Sequence, residues 1–232
     1  TMAMQLDPYT VTPLWPDAIS IAALQARLCL EDGICSERAM AEVAIRDRAN
    51  AKSNPYAQVS GDFQAKKLLA EPTLVSPLRK HDCSPISDGA TGVILAAGDR
   101  ARELCERPAW IRGIEHILEP MDLGVRDITQ SRSTQMAAEK AGVNGDKIDV
   151  AEVYAPFTHQ SILVERALGL GKDVAVNPSG GALAANPIMA TGLIRIGEAA
   201  RRIWDGSADR AVAHATSGPC LQQNLVAVLE GN

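Results

Sequence analysis

Apolar positions along the chain recur with a helical period in some stretches and with a strand period in others. The first sixteen residues do neither and are punctuated by Pro8, Pro13 and Pro16, so they read as irregular. From Asp17 the pattern turns helical: Asp17 is a capping residue type, Ile21, Leu24 and Leu28 fall on one face, and Gly33 is a stop. A second helix is predicted from Ser36 to Ala51, and a short polar one around Asp62–Ala70. The compact apolar run Val93–Ala97 reads as a buried strand. The second half is more regular. "AWIRGIEHIL" and "KIDVAEVY" read as strands; Gln130–Ala141 and Phe157–Leu168 read as helices closed by Gly142 and by Gly169 and Gly171. Met189, Leu193, Ile196, Ala200 and Ile203 mark another helix, and "DRAVAHA" and "NLVAVLE" two more strands around the loop "TSGPCLQQ". This alternation predicts an α/β fold with a mixed sheet and a boundary near Asp99–Pro108.

Length and charge narrow the functional classes. The 232 residues suffice for one large domain or two smaller ones, and the net charge is −5. No basic patch or nucleic-acid motif is present, which excludes nucleic acid as the expected partner. No apolar run nears the ~18 residues of a membrane span, and no secretory signal pattern is present. Cys29, Cys35, Cys83, Cys105 and Cys220 are scattered without CxxC spacing, which argues against a zinc site or disulfide scaffold and for a reducing cytoplasm. The opening "TMAMQLDPYT" has no initiator Met and reads as a fragment or processed product.

Three segments carry candidate chemistry. "NPSGGALAANPIMATG", residues 177–192, places Gly180 and Gly181 where positive φ or close backbone approach is useful, and Pro187 where a helix starts. It reads as a packing turn or as an anion-holding helix entrance; without GxGxxG spacing or a Walker lysine it is not a nucleotide phosphate loop. In "VYAPFTHQ", Tyr154 ends a strand and Phe157 opens a helix, the position from which side chains line many α/β active sites. The alternative is a sheet-edge tyrosine in solvent, with His159 a surface cap residue. In "HATSGPCLQQN", His214, Thr216, Ser217, Gly218 and Cys220 cluster after a strand, as a thiol–histidine site or as a small-residue turn around an inert thiol. His81 and Cys83 are too close in sequence for a catalytic pair and read as structural.

In order, "DCSPISDGATGVILA", "VAEVYAPF", "NPSGGALAANPIMATG" and "HATSGP" resemble the thiolase superfamily, most closely the sterol-carrier-protein type whose members are often labelled lipid-transfer proteins or acyl-CoA acetyltransferases. The resemblance covers nearly the whole chain. It implies a layered α-β-α-β-α fold with mixed sheets, usually dimeric, of which the first half is incomplete. Residues 1–105 would be the remainder of the N-terminal half with its loop region, and 106–232 the C-terminal half. "TMAM" resembles the segment following the family's nucleophile helix, so the nucleophilic cysteine would lie on sequence not given, come from a partner, or be lost.

The family's Gly-His-Pro is here Ala185–Asn186–Pro187, its Asn-Glu-Ala-Phe or His-Asp-Cys-Phe is Tyr154–Ala155–Pro156–Phe157, and its Cys-x-Gly is Ala215–Thr216–Ser217. Acyl transfer needs a thiolate and a base, which these positions lack. A neutral Asn donates a hydrogen bond but takes no proton. The resemblance therefore implies retro-aldol cleavage of a β-hydroxyacyl-CoA, for which sterol side chains are one candidate. Tyr154, Asn186, His214 and Thr216 are the expected catalytic residues; Phe157, Gly180, Gly181, Ser217, Gly218 and Cys220 are the expected substrate contacts. No cofactor beyond substrate coenzyme A and no metal is expected; a homodimer and a small OB-fold partner are. The alternatives are a thiolase or acetyltransferase with its cysteine elsewhere, and a non-catalytic lipid-transfer or scaffold subunit.

Overall fold

The computed structural model describes residues 6–143 and 147–231; the "TMAM" start lies outside the described residues. Helix α1 (Ala18–Glu31) is capped as its sequence foretells, with the Asp17 carboxylate accepting from Ser20 N at 2.7 Å. Its buried face differs from the expectation. Ile21, Ala22, Gln25, Ala26 and Cys29 point inward and Leu24 stays half exposed, because an alanine-rich stripe permits a closer helix approach than a leucine stripe. Helix α2 (Glu37–Asn50) is capped by Ser36, and the short α3 (Ala65–Leu69) precedes a two-stranded hairpin of β1 (Thr73–Val75) and β2 (Leu78–Arg79).

Val93–Ala97 is not a strand. Ile94 is 94 % and Leu95 75 % exposed, and no strand among the described residues pairs with the segment. A strand exists only where a neighbour takes its backbone N–H and C=O groups, and apolar composition alone cannot supply one. The chain then turns into α4 (Gly98–Leu104), where the sequence pattern had placed a boundary.

Among the described residues, the main sheet has five strands, all from residues 110–230: β3 (Trp110–Leu118), β4 (Val150–Val153), β5 (Ala175–Val176), β6 (Arg210–Ser217) and β7 (Gln223–Glu230). Their order is β3-β7-β6-β4-β5, with β4 parallel to β5 and β6, and β7 antiparallel to β6 and β3. Helices α5 (Arg132–Ala141) and α6 (Thr158–Ala167) cover one face around Ala151, Val153, Val212, Val226 and Val228. After the one-turn α7 (Gly181–Ala184), α8 (Thr191–Trp204) covers the other face around Val150, Ala211, Ala213, Ala227 and Leu229. Both faces of β4 are therefore buried, and its alternation separates two interiors rather than core from solvent. Helix α8 starts later than its apolar spacing implied: Met189 is 91 % exposed in the preceding turn, where Pro187 O accepts from Ala190 N and Thr191 N.

Two histidines lie in this interior. His159, expected as a possible surface cap, is wholly buried, with Nε2 3.2 Å from the Gln25 side-chain oxygen. Burial pushes its pKa down to about 3 and that of His214 to about 4, from an ordinary 6.5. Both rings are neutral in the fold and gain a proton readily only on unfolding. Their stabilising contribution is thus present above pH 6.5 and is lost as pH falls through 4 and 3. His159→Gln is expected to flatten the acid limb of a denaturation series by nearly one proton, about 1.4 kcal/mol per pH unit. An unchanged limb would contradict this assignment.

Candidate active site at the carboxyl edge of the sheet

Strands β4, β5 and β6 run parallel, so their carboxyl ends, and the loops that leave them, gather at one edge. Tyr154 lies one residue past β4, its backbone N–H donating to His214 O at 3.1 Å. The loop after β5 returns across it and brings in Asn186. The loop enters through Asn177, which holds φ +48°; its amide accepts from Val153 N at 2.8 Å and donates to Asp47 at 3.0 Å. Burial raises the Asp47 carboxyl to about 6, against the opposing pull of Arg46 and the Asn177 bond.

Asn186 is held at four atoms. Its backbone N–H donates to Ser87 Oγ at 3.1 Å, and its carbonyl accepts from Ser87 N at 3.3 Å. Its Nδ2 donates to Ser84 Oγ at 2.9 Å, while its Oδ1 accepts from Thr191 Oγ1 at 2.8 Å. These bonds fix the amide orientation and use one of the two Nδ2 protons. Tyr154 joins the same group. Burial raises its phenol above the ordinary value, and hydrogen bonds with Asn186 and Thr191 and the charge of Arg195 pull in the opposite direction. The phenol is thus protonated at neutral pH.

Beneath this group lies a buried ion pair. Glu152 Oε2 accepts from Arg195 Nη1 at 2.6 Å, and Ser179 donates to both carboxylate oxygens, from N at 2.9 Å and from Oγ at 2.7 Å. Burial is the main influence on Glu152 and raises its pKa; Arg195 opposes it. Beside Asn186 the surface opens into a groove of about 550 Å³, with Ile86, Ser87 and Asp88 on one side and Pro187, Met189 and Leu193 on the other.

The expected site residues divide by location. Tyr154 and Asn186 come together. His214 does not join them: its ring points to the α5 face, where Nε2 lies 2.9 Å from Asn224 Oδ1. Thr216, two residues along the strand, shares that face and donates to Gln223 O at 3.0 Å. Both side chains therefore point away from Tyr154 and Asn186. Gly180 and Gly181 are buried packing residues. A Cβ on Gly180 would lie 2.6 Å from that of Ala51, and one on Gly181 would lie 2.5 Å from Asn177 Nδ2, so neither faces an acyl group. Cys220 also stands apart from Tyr154 and Asn186. It lies under α1, its thiol reaches Ile21 O at 3.8 Å, and burial pushes it up to about 12. Phe157 packs against α1 at the entrance to α6, and Gly218 turns the chain back over Gln222; only Ser217 of that loop is exposed. Cys83, half buried beside Asp82, is likewise a thiol held up to about 12.

Ser84, Ser87, Thr191, Glu152, Ser179 and Arg195 were not marked by the sequence pattern. Two spacings carry the signal. Glu152 and Tyr154, two apart on a strand, share a face; Thr191 and Arg195, four apart on a helix, share another. A glutamate in mid-strand needs a buried cation, and Arg195 is the arginine of α8 that reaches it.

The fold, with its five-stranded mixed sheet, matches that of thiolases. The structure aligns with the Ltp2-ChsH2(DUF35) aldolase at a TM-score of 0.80 and 21 % identity, over 98 % of this chain and 66 % of that one. Human mitochondrial 3-ketoacyl-CoA thiolase aligns at 0.70 and 20 % identity, over 91 % and 59 %. In sequence, acetyl-CoA acetyltransferase of Methanothermobacter thermautotrophicus is 32 % identical over 208 residues, 80 % of this chain and 54 % of the relative. Human sterol carrier protein 2 is 25 % identical over 213 residues, 80 % and 39 %. No family model matches the chain. The chain belongs to the thiolase superfamily. It spans about half the length of the acetyltransferase it matches.

Proposed function

We propose that the protein carrying this chain is an acyl-CoA lyase that cleaves a β-hydroxyacyl-CoA by a retro-aldol reaction. The observation that carries this reading is the bonding of Asn186. Where thiolases hold a histidine base, an amide is fixed by Ser84 and Thr191 and shares a further hydrogen bond with the Tyr154 phenol. Tyr154, as phenolate, takes the β-hydroxyl proton. The oxygen's electron pair forms a carbonyl, the Cα–Cβ bond breaks, and its electrons enter the thioester as an enolate. The Asn186 amide, which meets the Tyr154 phenol when substrate is absent, donates to the enolate oxygen. Tyr154 returns the proton to Cα, so one proton moves and no external acid, base or cofactor is consumed. The products are a ketone or aldehyde and a shorter acyl-CoA.

The resemblance in fold to an aldolase supports the reading, as do Ala215 at the place of the family's second cysteine and the burial of Cys220. Residues 1–105 and 106–232 are assigned to the two halves of the family fold, with a homodimer and a small OB-fold partner as the assembly and the cytoplasm as the compartment. The five cysteines, all free, suit that compartment. The test is incubation of the assembled protein with β-hydroxyacyl-CoA and analysis for the carbonyl fragment and the shortened thioester. Neither product appearing, with or without the OB-fold partner, would count against it. The acetyltransferase similarity favours a second reading, a thiolase whose nucleophile lies on another segment. That reading demands free CoA as co-substrate.

A further inference from the structure

We propose that Arg195 is a positioning residue for Tyr154: its guanidinium, clamped by Glu152 and Ser179, holds positive charge below the phenol and favours formation of the phenolate. This inference rests on the reading that Tyr154 carries the proton. The geometry is a match of two periods. Residues 152 and 154 lie two apart on β4 and point to the α8 face; residues 191 and 195 lie one turn apart on α8 and point to β4. Tyr154 therefore meets Thr191 on the rung next to the one where Glu152 meets Arg195. Arg195 is 3 % exposed, and one nitrogen, Nη1, carries both the Glu152 and Ser179 bonds. Its Nε is buried without a hydrogen-bond partner among the described residues, which leaves part of the cation unmatched.

The other charged groups of the surrounding elements are paired or exposed. Glu152 is on its own strand and is bound to Arg195. Glu198, one turn on along α8, pairs with Arg201 at 3.2 Å. Asp88, in the loop beyond Ser87, is exposed. Segment 177–190 contains no titratable side chain, and β6 offers Ala215 to this face while His214 points away. Arg195 is the charge that acts on the phenol, in the direction opposite to burial.

The chain has three tyrosines, and Tyr9 and Tyr56 are 88 % and 84 % exposed. Isotope-labelled tyrosine followed by NMR through an alkaline titration therefore resolves Tyr154 against two exposed internal references. Arg195→Met is expected to move the Tyr154 midpoint to higher pH, and Arg195→Lys to keep it near wild type. Glu152→Gln is expected to move it lower, because the guanidinium then lacks its counter-charge. Removing one partner of a buried pair can unfold a protein, whereas replacing both is better tolerated. The comparison of Glu152→Gln with Glu152→Gln/Arg195→Met covers that case, and the double variant must titrate higher. Equal Tyr154 midpoints within either comparison would overturn the proposal. The readout needs no turnover, so failure of the lyase assay and failure of this inference are distinguishable.

Discussion

Tyr154→Phe is expected to lower kcat/KM for carbon–carbon cleavage by about 100- to 10,000-fold while the fold and substrate binding persist. The substitution removes one oxygen atom from a residue that is 6 % exposed, and the ring keeps its packing. What disappears is the group that takes and returns the proton. The same residue sets the pH dependence. Burial raises its pKa, so the phenolate is the minor form at neutral pH. Its fraction grows tenfold per pH unit below the pKa, and the rate should climb with unit slope towards alkaline pH before levelling. Tyr154→Phe should abolish that limb. A variant with full activity and an unchanged pH profile would remove Tyr154 from the mechanism. It would leave the family assignment untouched, because that rests on sequence and fold.

Asn186→Ala is expected to lower kcat by about 100- to 1,000-fold, with a much smaller change in KM. The reason is selectivity for the enolate, whose oxygen carries more charge than the substrate thioester and therefore gains more from a fixed N–H. The loss also has a structural part. Thr191 Oγ1 and Ser84 Oγ each lose a partner, at a cost of about 1–3 kcal/mol if they stay dry. Thermal denaturation read beside the kinetics separates the two effects. Asn186→Asp keeps the acceptor for Thr191 but replaces the donor with negative charge, so it should lose activity at least as severely. If Asn186→Ala raised KM alone, Asn186 would be a binding residue and enolate stabilisation would need another donor.

Much of the helical framework was legible because its signals are local. Asp17 caps where a cap is expected, α2 begins within a residue of the expected Ser36, and Gly142 closes α5 at φ +94°. Strands β6 and β7 were legible because runs rich in Val and Ala fit a sheet buried on both faces. Val93–Ala97 was misread because strand formation depends on a neighbour, which composition does not reveal. Leu24 was misread because helical spacing identifies a stripe without saying which stripe packs. The site divided in the same way. Segment order identified the edge where Tyr154 and Asn186 meet. It could not say which face of β6 turns towards them, and His214 and Thr216 belong to the other. Nor could it foresee that Gly180 and Gly181 are spent on close packing against Ala51 and Asn177. The Glu152–Arg195 pair spans 43 residues of sequence and became apparent only once the helix lay on the strand.

The central claim is a site that cleaves without a thiolate. Its most direct test is product analysis of the assembled protein on β-hydroxyacyl-CoA and on β-ketoacyl-CoA, each with and without free CoA. The lyase account predicts a carbonyl fragment and a shortened acyl-CoA from the hydroxy substrate, at a rate independent of free CoA. Cleavage of the keto substrate alone, strictly dependent on free CoA, would contradict it and establish a thiolase.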